Sequence, residues 1–342
     1  MIEVKNEGIV LSKRDFCFEA EGVLNPAVIQ NETGIHMFYR AVAKKNYSTI
    51  GYCKFSDPFT VESRLDCPLL VPQNDFDSHG IEDPRIVKID DLYYLTYTGY
   101  DGVNALGALS VSKDLINFER IGIIAPQLTF DQFRKLASAR HEVTEKYFRY
   151  NIHGGSFKKN GKQMLLWDKN IMFFPRRING KLFFLHRIRP DIQLVCINEL
   201  SDLTIDFWQK YLLRFEEHIL LSPKHKFEIS YIGGGCPPIE TEFGWLLIYH
   251  AVHDTLAGYV YSACAALLDL ENPLIEISRL PYPLFKPQKE WEINGIVNNV
   301  CFPTGAVVIE DKLYIYYGAA DEQIALASMS LSQLLKELIS NK

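Results

Sequence analysis

The chain predicts an all-β fold, a five-bladed β-propeller carrying a helical insertion around 127–160 and a short C-terminal helix. One observation is the stretch Gly80-Ile-Glu-Asp-Pro-Arg85, which feeds the aromatic run Leu92-Tyr-Tyr-Leu-Thr-Tyr-Thr98. A compact acidic-Pro-Arg turn before such a run reads as a loop that delivers charged groups to the mouth of a β-sheet. A second observation is repetition. Segments beginning at Pro26, Pro84, Pro175, Pro238 and Pro303 each give a strand, a Gly or Asp turn, and an aromatic-rich strand ending in a polar or aromatic residue. From the proline to that last residue the offset is fourteen in three copies (26 to 40, 84 to 98, 303 to 317) and twelve in two (175 to 187, 238 to 250). Two residues is one β-period, so every copy keeps the same face. Five self-similar hairpins of about 68 residues apiece are what a five-bladed ring needs. The third observation is composition: aromatics make up 13% of the 342 residues, with 18 Tyr and 21 Phe, which favour strands.

Taken in order, the chain from Met1 to about Leu24 reads as a lead-in and outer strand, with Phe16-Cys-Phe-Glu-Ala alternating weakly, placed to close the ring against the last blade. The first hairpin, Asn25 to Arg40, continues into an outer strand at Ile50–Ser56, and the second into Gly107–Phe118. Between about Pro126 and Lys162 the pattern breaks. Asp131 to Phe148 has helical spacing, and the proline interval there stretches to 91 residues (84 to 175). This reads as a helical insertion on the rim, with a solvated decoration and a wall of the pocket as equal alternatives. The third hairpin is approached through Leu165-Leu-Trp-Asp-Lys-Asn170, which puts Lys169 on a loop, and the fourth through Glu228-Ile-Ser-Tyr-Ile-Gly-Gly-Gly-Cys-Pro-Pro238. The three glycines are expected to turn the backbone sharply and let it approach a ligand. No Lys-Ser or Lys-Thr follows them, so the nucleotide-loop reading fails. After the fifth hairpin come Gly318-Ala-Ala-Asp321 and a helix from Ser330 to Ile339. No linker divides 1–342, and a single domain is the expectation.

A net charge of −6 without a basic run argues against nucleic acid or an anionic membrane as the principal partner. Seven cysteines without a CxxC pair read as thiols of a reducing compartment rather than a disulfide set or zinc site. The first residues lack the basic start and apolar core of a signal peptide, and no window is a spanning helix. The cytoplasm is the expected compartment, with a trimmed leader left open. Nine histidines without HxH or HExxH spacing give no metal site.

Inner strands of a propeller converge on one axis, so the ends of equivalent hairpins meet in one funnel. Asn25, Arg40, Asp83, Arg85, Lys169, Arg187, Glu199, Glu228, His250 and Asp321 are therefore candidates for one cluster. Carboxylates and guanidinium groups ringed by Tyr and Trp suit a sugar, since planar polar groups hold vicinal hydroxyls and aromatic faces cover C–H surfaces. Two carboxyl groups flanking a glycosidic bond are the minimum for hydrolysis with inversion. Each candidate has a structural competitor. An Asp before Pro commonly caps a turn, Arg40 and Arg187 could be ion-pair partners between blades, Lys169 could be solvated, and His250 could be hydrogen-bonded framework.

At these same residues the chain resembles glycoside hydrolase family 130, the mannoside phosphorylases and β-mannosidases. The resemblance rests on Asn25-Pro, Glu82-Asp-Pro-Arg85 with Tyr97-Thr-Gly-Tyr-Asp101, Phe174-Pro-Arg-Arg-Ile-Asn-Gly-Lys181 with His186-Arg187, Gly233-Gly-Gly-Cys-Pro-Pro-Ile239 with Gly244-Trp-Leu-Leu-Ile-Tyr-His250, and Phe302-Pro through Asp321. It implies Asp83 as general acid, reaching the leaving oxygen through a sugar hydroxyl in the phosphorylases, with Asn25, Arg40 and Asp321 holding the mannose. The family's phosphate-binding positions fall on Lys169, Arg187 and Tyr231, the last departing from the basic pattern. The family's β-1,2-mannosidases resemble this arrangement, and Glu228 and Glu199 match their pair of candidate bases.

The resulting expectation is an inverting, exo-acting β-mannosidase for β-1,2-linked mannosides, without cofactor, acting on a small oligosaccharide, with a homo-oligomer left open. Asp83 would be the acid and Glu228 or Glu199 the base. Asn25, Arg40, Arg85, Lys169, Arg187, Tyr231, His250 and Asp321 would surround the substrate. The alternative is a mannoside phosphorylase with inorganic phosphate as co-substrate. The alternative of another class is a non-catalytic sugar-binding propeller.

Overall fold

The structure, a computed structural model, describes residues 2–140, 143–152, 158–159, 161–256 and 258–341. It is mostly β. After an N-terminal strand β1 (Lys5–Leu11), the first sheet runs β2 (Gly22–Asn31), β3 (Gly34–Ala43), β4 (Tyr47–Phe55) and β5 (Val61–Arg64), each antiparallel to the one before. The second repeats the order with β6 (Gly80–Ile89), β7 (Leu92–Tyr100), β8 (Ala105–Ser112) and β9 (Phe118–Ile123), and a single parallel pairing of Ser48 with Gly80 joins the two. Helices α1 (Phe130–Ala137) and α2 (Glu145–Asn151) and a small hairpin, β10 (Lys158–Lys159) with β11 (Lys162–Gln163), follow. The third sheet is β12 (Lys169–Phe173), β13 (Leu182–Arg187), β14 (Ile192–Ile197) and β15 (Ile219–Leu221), with α3 (Ile205–Leu213) between the last two. In the fourth, β16 (Tyr231–Gly234) and β17 (Ile239–Thr241) both pair with β18 (Gly244–Thr255), which leads to β19 (Gly258–Leu268) and β20 (Glu276–Arg279). After α4 (Glu290–Ile293), the fifth holds β21 (Cys301–Ile309), β22 (Lys312–Ala319) and β23 (Gln323–Ser330). Its fourth strand is β1, antiparallel to β23.

The N-terminal segment thus closes on the last sheet as its position suggested, but the pairing strand is Lys5–Leu11. Phe16–Ala20 lies in bends and turns instead. First strands lie against one another in chain order: β2 touches β6, β6 touches β12, β12 touches β16, and β21 touches β2. Aromatic and branched side chains between the sheets form the core, with Phe38, Phe55, Phe174, Trp245 and Tyr316 fully buried. Such residues fit a pleated surface packed on both faces.

The insertion is docked rather than solvated. Thr129 caps α1, accepting from the Gln132 backbone N–H, and Phe133, Ala137, Val143 and Tyr147 share a core with Trp208 and Tyr211 of α3 and Phe215 just after it. The Tyr147 hydroxyl donates to Asp191 at 2.5 Å. Residues 141–142, 153–157 and 160 of the expected insertion lie outside the described residues. The last helix, α5 (Leu331–Ser340), begins one residue later than expected because Ser330 is its cap, its hydroxyl accepting from the Gln333 N–H. No helix among the described residues is long and apolar enough to cross a membrane.

Candidate active site

The first strands of three sheets break register once each: between Leu24 and Ala27, between Glu82 and Arg85, and between Lys169 and Met172. At each break one residue takes a left-handed backbone, with φ of 49° at Asn25, 51° at Asp83 and 59° at Asn170. Asn and Asp tolerate this region better than bulkier side chains, and a bulge re-aims the side chain it carries. All three line one cavity of about 240 Å³, together with Arg40, Glu82, Lys169, Arg187, Tyr231, Tyr261 and Asp321. Asp321 arrives from the fifth sheet. Ala320 (φ 47°) and Asp321 (φ 54°) are the central residues of the turn between β22 and β23, closed by the Glu322 N–H donating to the Ala319 carbonyl at 3.1 Å.

Charge in the cavity is unevenly shared. Glu82 accepts from Arg40 (3.0 Å) and from Lys169 (3.2 Å). Asp83 accepts from the Asn25 amide at 2.7 Å and lies 3.6 Å from an Arg40 nitrogen. Burial alone would raise the Asp83 pKa, but Arg40, Lys169, the Asn25 hydrogen bond and Arg85 together hold it below the usual carboxylate value. Asp321 goes the other way. Burial pushes it up to about 6, with the neighbouring charges of Asp83 and Glu82 adding to the rise against Arg40 and Lys169. Two carboxyl groups of one cavity therefore differ in proton affinity by environment alone.

Arg187 stands apart from this cluster. It donates to His250 Nε2 at 3.2 Å, its guanidinium lies 5.4 Å from the Tyr231 ring centre, and its Nε is buried without a partner. No salt bridge reaches it among the described residues. Burial first, then the charge of Arg189, lowers its pKa to about 10. Gly233 makes room for it, since a Cβ there would come within 2.5 Å of His250 and 2.8 Å of Arg187.

Four residues chosen from the sequence stand elsewhere. Glu228 is fully buried. It accepts from the backbone N–H groups of Lys224 (2.6 Å) and His225 (2.9 Å) and from the Tyr249 hydroxyl (2.6 Å), beside Arg279 at 3.3 Å. The reason is a second repeat that alignment on the prolines does not reveal. Glu19 takes the Tyr39 hydroxyl (2.8 Å), Glu292 takes that of Tyr317 (2.6 Å) with the N–H groups of Gln288 and Lys289, and Asp77 takes the N–H groups of Gln73 and Asn74. Each such carboxylate sits ahead of a first strand and fixes the approach to it. Glu228 is the fourth sheet's copy, with its acceptor sites used and no face on the cavity.

Glu199 follows β14 at the far end of the third sheet. Arg187 at the cavity pairs with Lys169, whereas Leu182, at the other end of the same strand, pairs with Ile197. Its exposed carboxylate is bound by Arg177 at 3.0 Å. Arg85 is buried beneath the cavity, donating to the carbonyls of Gly235 (2.5 Å), Asp83 (3.0 Å) and Pro84 (2.9 Å), so it braces the bulge that carries Asp83. His250 sits behind Arg187, its ring 4.4 Å from that of Phe302. Neither lines the cavity. The first two glycines of the run continue strand β16 rather than turn sharply, and protein groups use the space: a Cβ on Gly234 would come within 1.7 Å of Met172.

Glu82, Asn170 and Tyr261 line the cavity without having been singled out. Asn170 was within reach, because it occupies the bulge position of Asn25 and Asp83. Tyr261 lies on β19, outside every repeat, and its hydroxyl meets that of Tyr231 at 2.6 Å. In the fifth copy the equivalent of Arg40 is Gly318 rather than Tyr317. Tyr317 bonds Glu292 as Tyr39 bonds Glu19, and a Cβ on Gly318 would come within 2.1 Å of the Asn25 amide oxygen. No group of His, Cys, Asp and Glu among the described residues is arranged to hold a metal ion.

The chain is 32% identical to the 1,2-beta-oligomannan phosphorylase of Thermoanaerobacter sp. (strain X514), over 98% of this chain and 99% of that one. It is 34% identical to the beta-1,2-mannobiose phosphorylase of the same organism, over 96% of each. Among solved structures, the beta-1,2-mannobiose phosphorylase from Listeria innocua, in complex with beta-1,2-mannobiose, shares the fold with a TM-score of 0.70 at 23% identity, covering 94% of this chain and 93% of that one. The family profile described as beta-1,4-mannooligosaccharide phosphorylase matches residues 8–339, and the chain belongs to that family, glycoside hydrolase family 130.

Proposed function

We propose that the protein is a phosphorylase that removes the terminal mannosyl unit of β-1,2-linked mannosides and transfers it to inorganic phosphate with inversion. The observation that carries this reading is Arg187. A half-buried guanidinium without a carboxylate partner among the described residues, its pKa already lowered to about 10 by desolvation and by Arg189, is relieved by an anion brought to it. Lys169, its strand partner, adds a second cation on the cavity wall. Tyr231 replaces the third cation of the family pattern, yet Arg189 lies 5.1 Å from its ring centre, so positive charge stays on this side. The full-length relatives named for β-1,2-mannosides and for phosphorolysis support the same reading. Hydrolysis, first in the sequence expectation, loses its support, because Glu228 and Glu199 are both tied up away from the cavity.

In this reading a phosphate oxygen bonds to the anomeric carbon as the glycosidic C–O bond breaks. Asp83 delivers its proton to the departing oxygen, directly or through a sugar hydroxyl, giving mannose 1-phosphate and a saccharide one unit shorter. Arg40, Lys169, Asn25 and Arg85 hold the Asp83 pKa low, so in this reading the proton arrives with the substrates. A phosphate dianion beside Lys169 offsets a cation that now lowers Asp83, and raises its hold on a proton in the ternary complex. The five sheets are read as the blades of a five-bladed β-propeller forming one domain, supported by the neighbouring first strands and by β1 on β23.

The test is incubation with β-1,2-mannobiose with and without inorganic phosphate. Mannose 1-phosphate formed only with phosphate is the expected product. Mannose released at the same rate without phosphate would return the reading to hydrolysis.

A further inference from the structure

Arg189 sits in the short connection between β13 and β14 and does not line the cavity itself. Its guanidinium lies 5.1 Å from the centre of the Tyr231 ring, and that of Arg187 lies 5.4 Å from the same centre. Two cations thus share one aromatic ring, each attracted to it while their like charges repel. No salt bridge reaches Arg189 among the described residues, and the carboxylate next to it in the chain, Asp191, is occupied by the hydroxyls of Tyr147 (2.5 Å) and Ser222 (3.0 Å). The connection is pinned residue by residue. Gln193 closes it, accepting from the Ile188 N–H at 2.7 Å and donating to the Ile188 carbonyl at 2.9 Å. The Pro190 carbonyl accepts from the Ile232 N–H at 2.9 Å, beside Tyr231. The remaining fastenings come from the insertion. Buried Asn151 of α2 donates to the Arg189 carbonyl at 2.7 Å, and Tyr147, one turn earlier on the same helix, holds Asp191. Tyr150 of α2 sets its ring edge-on to Tyr231, 6.0 Å between centres.

We propose that Arg189 is a positioning residue for phosphate, standing in for the cation that Tyr231 displaces, and that helix α2 of the insertion sets the affinity for phosphate by holding Arg189 in place. The inference rests on phosphorolysis at this cavity, as in the reading above. Tyr231 and Tyr261 line the cavity and their hydroxyls meet at 2.6 Å. One of the two donates to the other, which leaves one hydroxyl proton to point at an anion. Arg189 acts on that anion across the Tyr231 ring, by charge rather than by contact. A unit charge several ångströms from an anion in a half-buried site changes its binding by about tenfold. The position of that charge has to be enforced. An arginine on a loose connection gains rotamer freedom by turning out to water, and the like charge of Arg187 favours the same movement. Asn151 and Tyr147 oppose it by fixing the backbone on both sides of the Arg189 side chain. The insertion is then neither a solvated decoration nor a wall of the pocket, but a brace for a cation behind the wall.

The experiment measures KM for phosphate and for β-1,2-mannobiose in the natural chain, Arg189→Lys, Arg189→Met, Asn151→Ala and the double variant of the last two, with Tyr147→Phe in place of Asn151→Ala should the latter not fold. Arg189→Met keeps an unbranched apolar stem to pack on Tyr231 and loses the charge. It is expected to raise the KM for phosphate about tenfold, with the KM for mannobiose and the melting temperature nearly unchanged. Arg189→Lys restores most of the affinity, because the charge returns without the planar fork. Asn151→Ala raises the KM for phosphate about threefold in the natural chain and adds nothing once Arg189 is replaced by Met, as expected of two residues acting through one group. An unchanged KM for phosphate in Arg189→Met, or an equal rise for both substrates, overturns the role of Arg189 while leaving phosphorolysis standing. Additive effects of the two substitutions overturn the role of α2. If the natural chain yields no mannose 1-phosphate, phosphorolysis itself fails. Arg189 is then judged by calorimetric binding of inorganic phosphate, where equal affinity in the natural chain and Arg189→Met, or binding to neither, overturns the proposal.

Discussion

Glu228 and Asp321 are both carboxylates withdrawn from bulk water, and they differ in what surrounds them. Around Glu228 two backbone N–H groups, a tyrosine hydroxyl and Arg279 take up its acceptor sites, and the same arrangement recurs in part at Glu19, Asp77 and Glu292. Around Asp321 no described residue donates a hydrogen bond to the carboxyl, and its neighbours of both signs stand across an open cavity. Burial with every acceptor satisfied makes a structural group. Burial with free valence and a hydrogen-bond path to substrate makes a group that can act. Asp83 lies between these limits, bound by Asn25 on one oxygen while facing the cavity.

The sharpest way to test the contrast is to neutralise one carboxyl of each kind. Asp83→Asn keeps a residue that tolerates the left-handed backbone and keeps a partner for Asn25, so the fold should survive. We expect turnover to fall by about 10²–10⁴, the usual worth of a positioned acid, with the melting temperature little changed. Glu228→Gln should do the reverse, costing roughly 1.5–3 kcal/mol of stability, because its hydrogen bonds lose their charge while Arg279 keeps Glu276. The remaining folded enzyme should turn over at nearly the natural rate. Thermal unfolding and kcat measured on the same samples check both. Loss of kcat in Glu228→Gln at unchanged stability would erase the distinction drawn here.

A smaller effect separates the two kinds of cation. Arg40 is neutralised within the protein by Glu82 and Asp83, whereas Arg187 has no such partner among the described residues. Arg187→Gln should therefore raise the KM for phosphate by about ten- to a hundredfold, in line with roughly 1.5–3 kcal/mol for a charge-assisted hydrogen bond, while the KM for mannoside moves less. Equal effects on both substrates would mean that Arg187 holds the sugar rather than the anion.

Much of the fold was legible because it repeats. A period of two across five proline-led hairpins marks the sheets, and the break near Pro126 marks the insertion. The left-handed polar residues were legible in part, as Asn25-Pro and Asp83-Pro, since turn-forming dipeptides announce unusual backbone. Asn170 lacks the proline and went unread. The glutamates misled for a physical reason. An acidic residue ahead of a glycine run looks the same in sequence whether its carboxylate faces a cavity or caps a turn, and only the hydrogen bonds of Lys224, His225 and Tyr249 distinguish them. Tyr261 carries no local signal, because tertiary packing alone brings it to the site.

The remaining effect measures the cavity's field directly. Folding raises the Asp321 pKa from the ordinary 3.8 to about 6, chiefly through burial. A carboxyl with a raised native pKa binds protons more tightly folded than unfolded. Its stabilising contribution is therefore complete below about 3.8 and is lost as pH climbs through about 6. Above that, the ionised group opposes folding by up to about 3 kcal/mol, reduced by the water that reaches the open cavity. Asp321→Asn should thus melt at a higher temperature than the natural chain above pH 6, and the gap should close steadily as pH falls toward 4. Glu228→Gln offers the control, since its loss of stability should persist at neutral pH with the sign reversed. If the two variants shifted the melting temperature in the same direction at pH 7.5, Asp321 would be a satisfied carboxylate like Glu228, and the cavity would lack the unmet charge on which its chemistry depends.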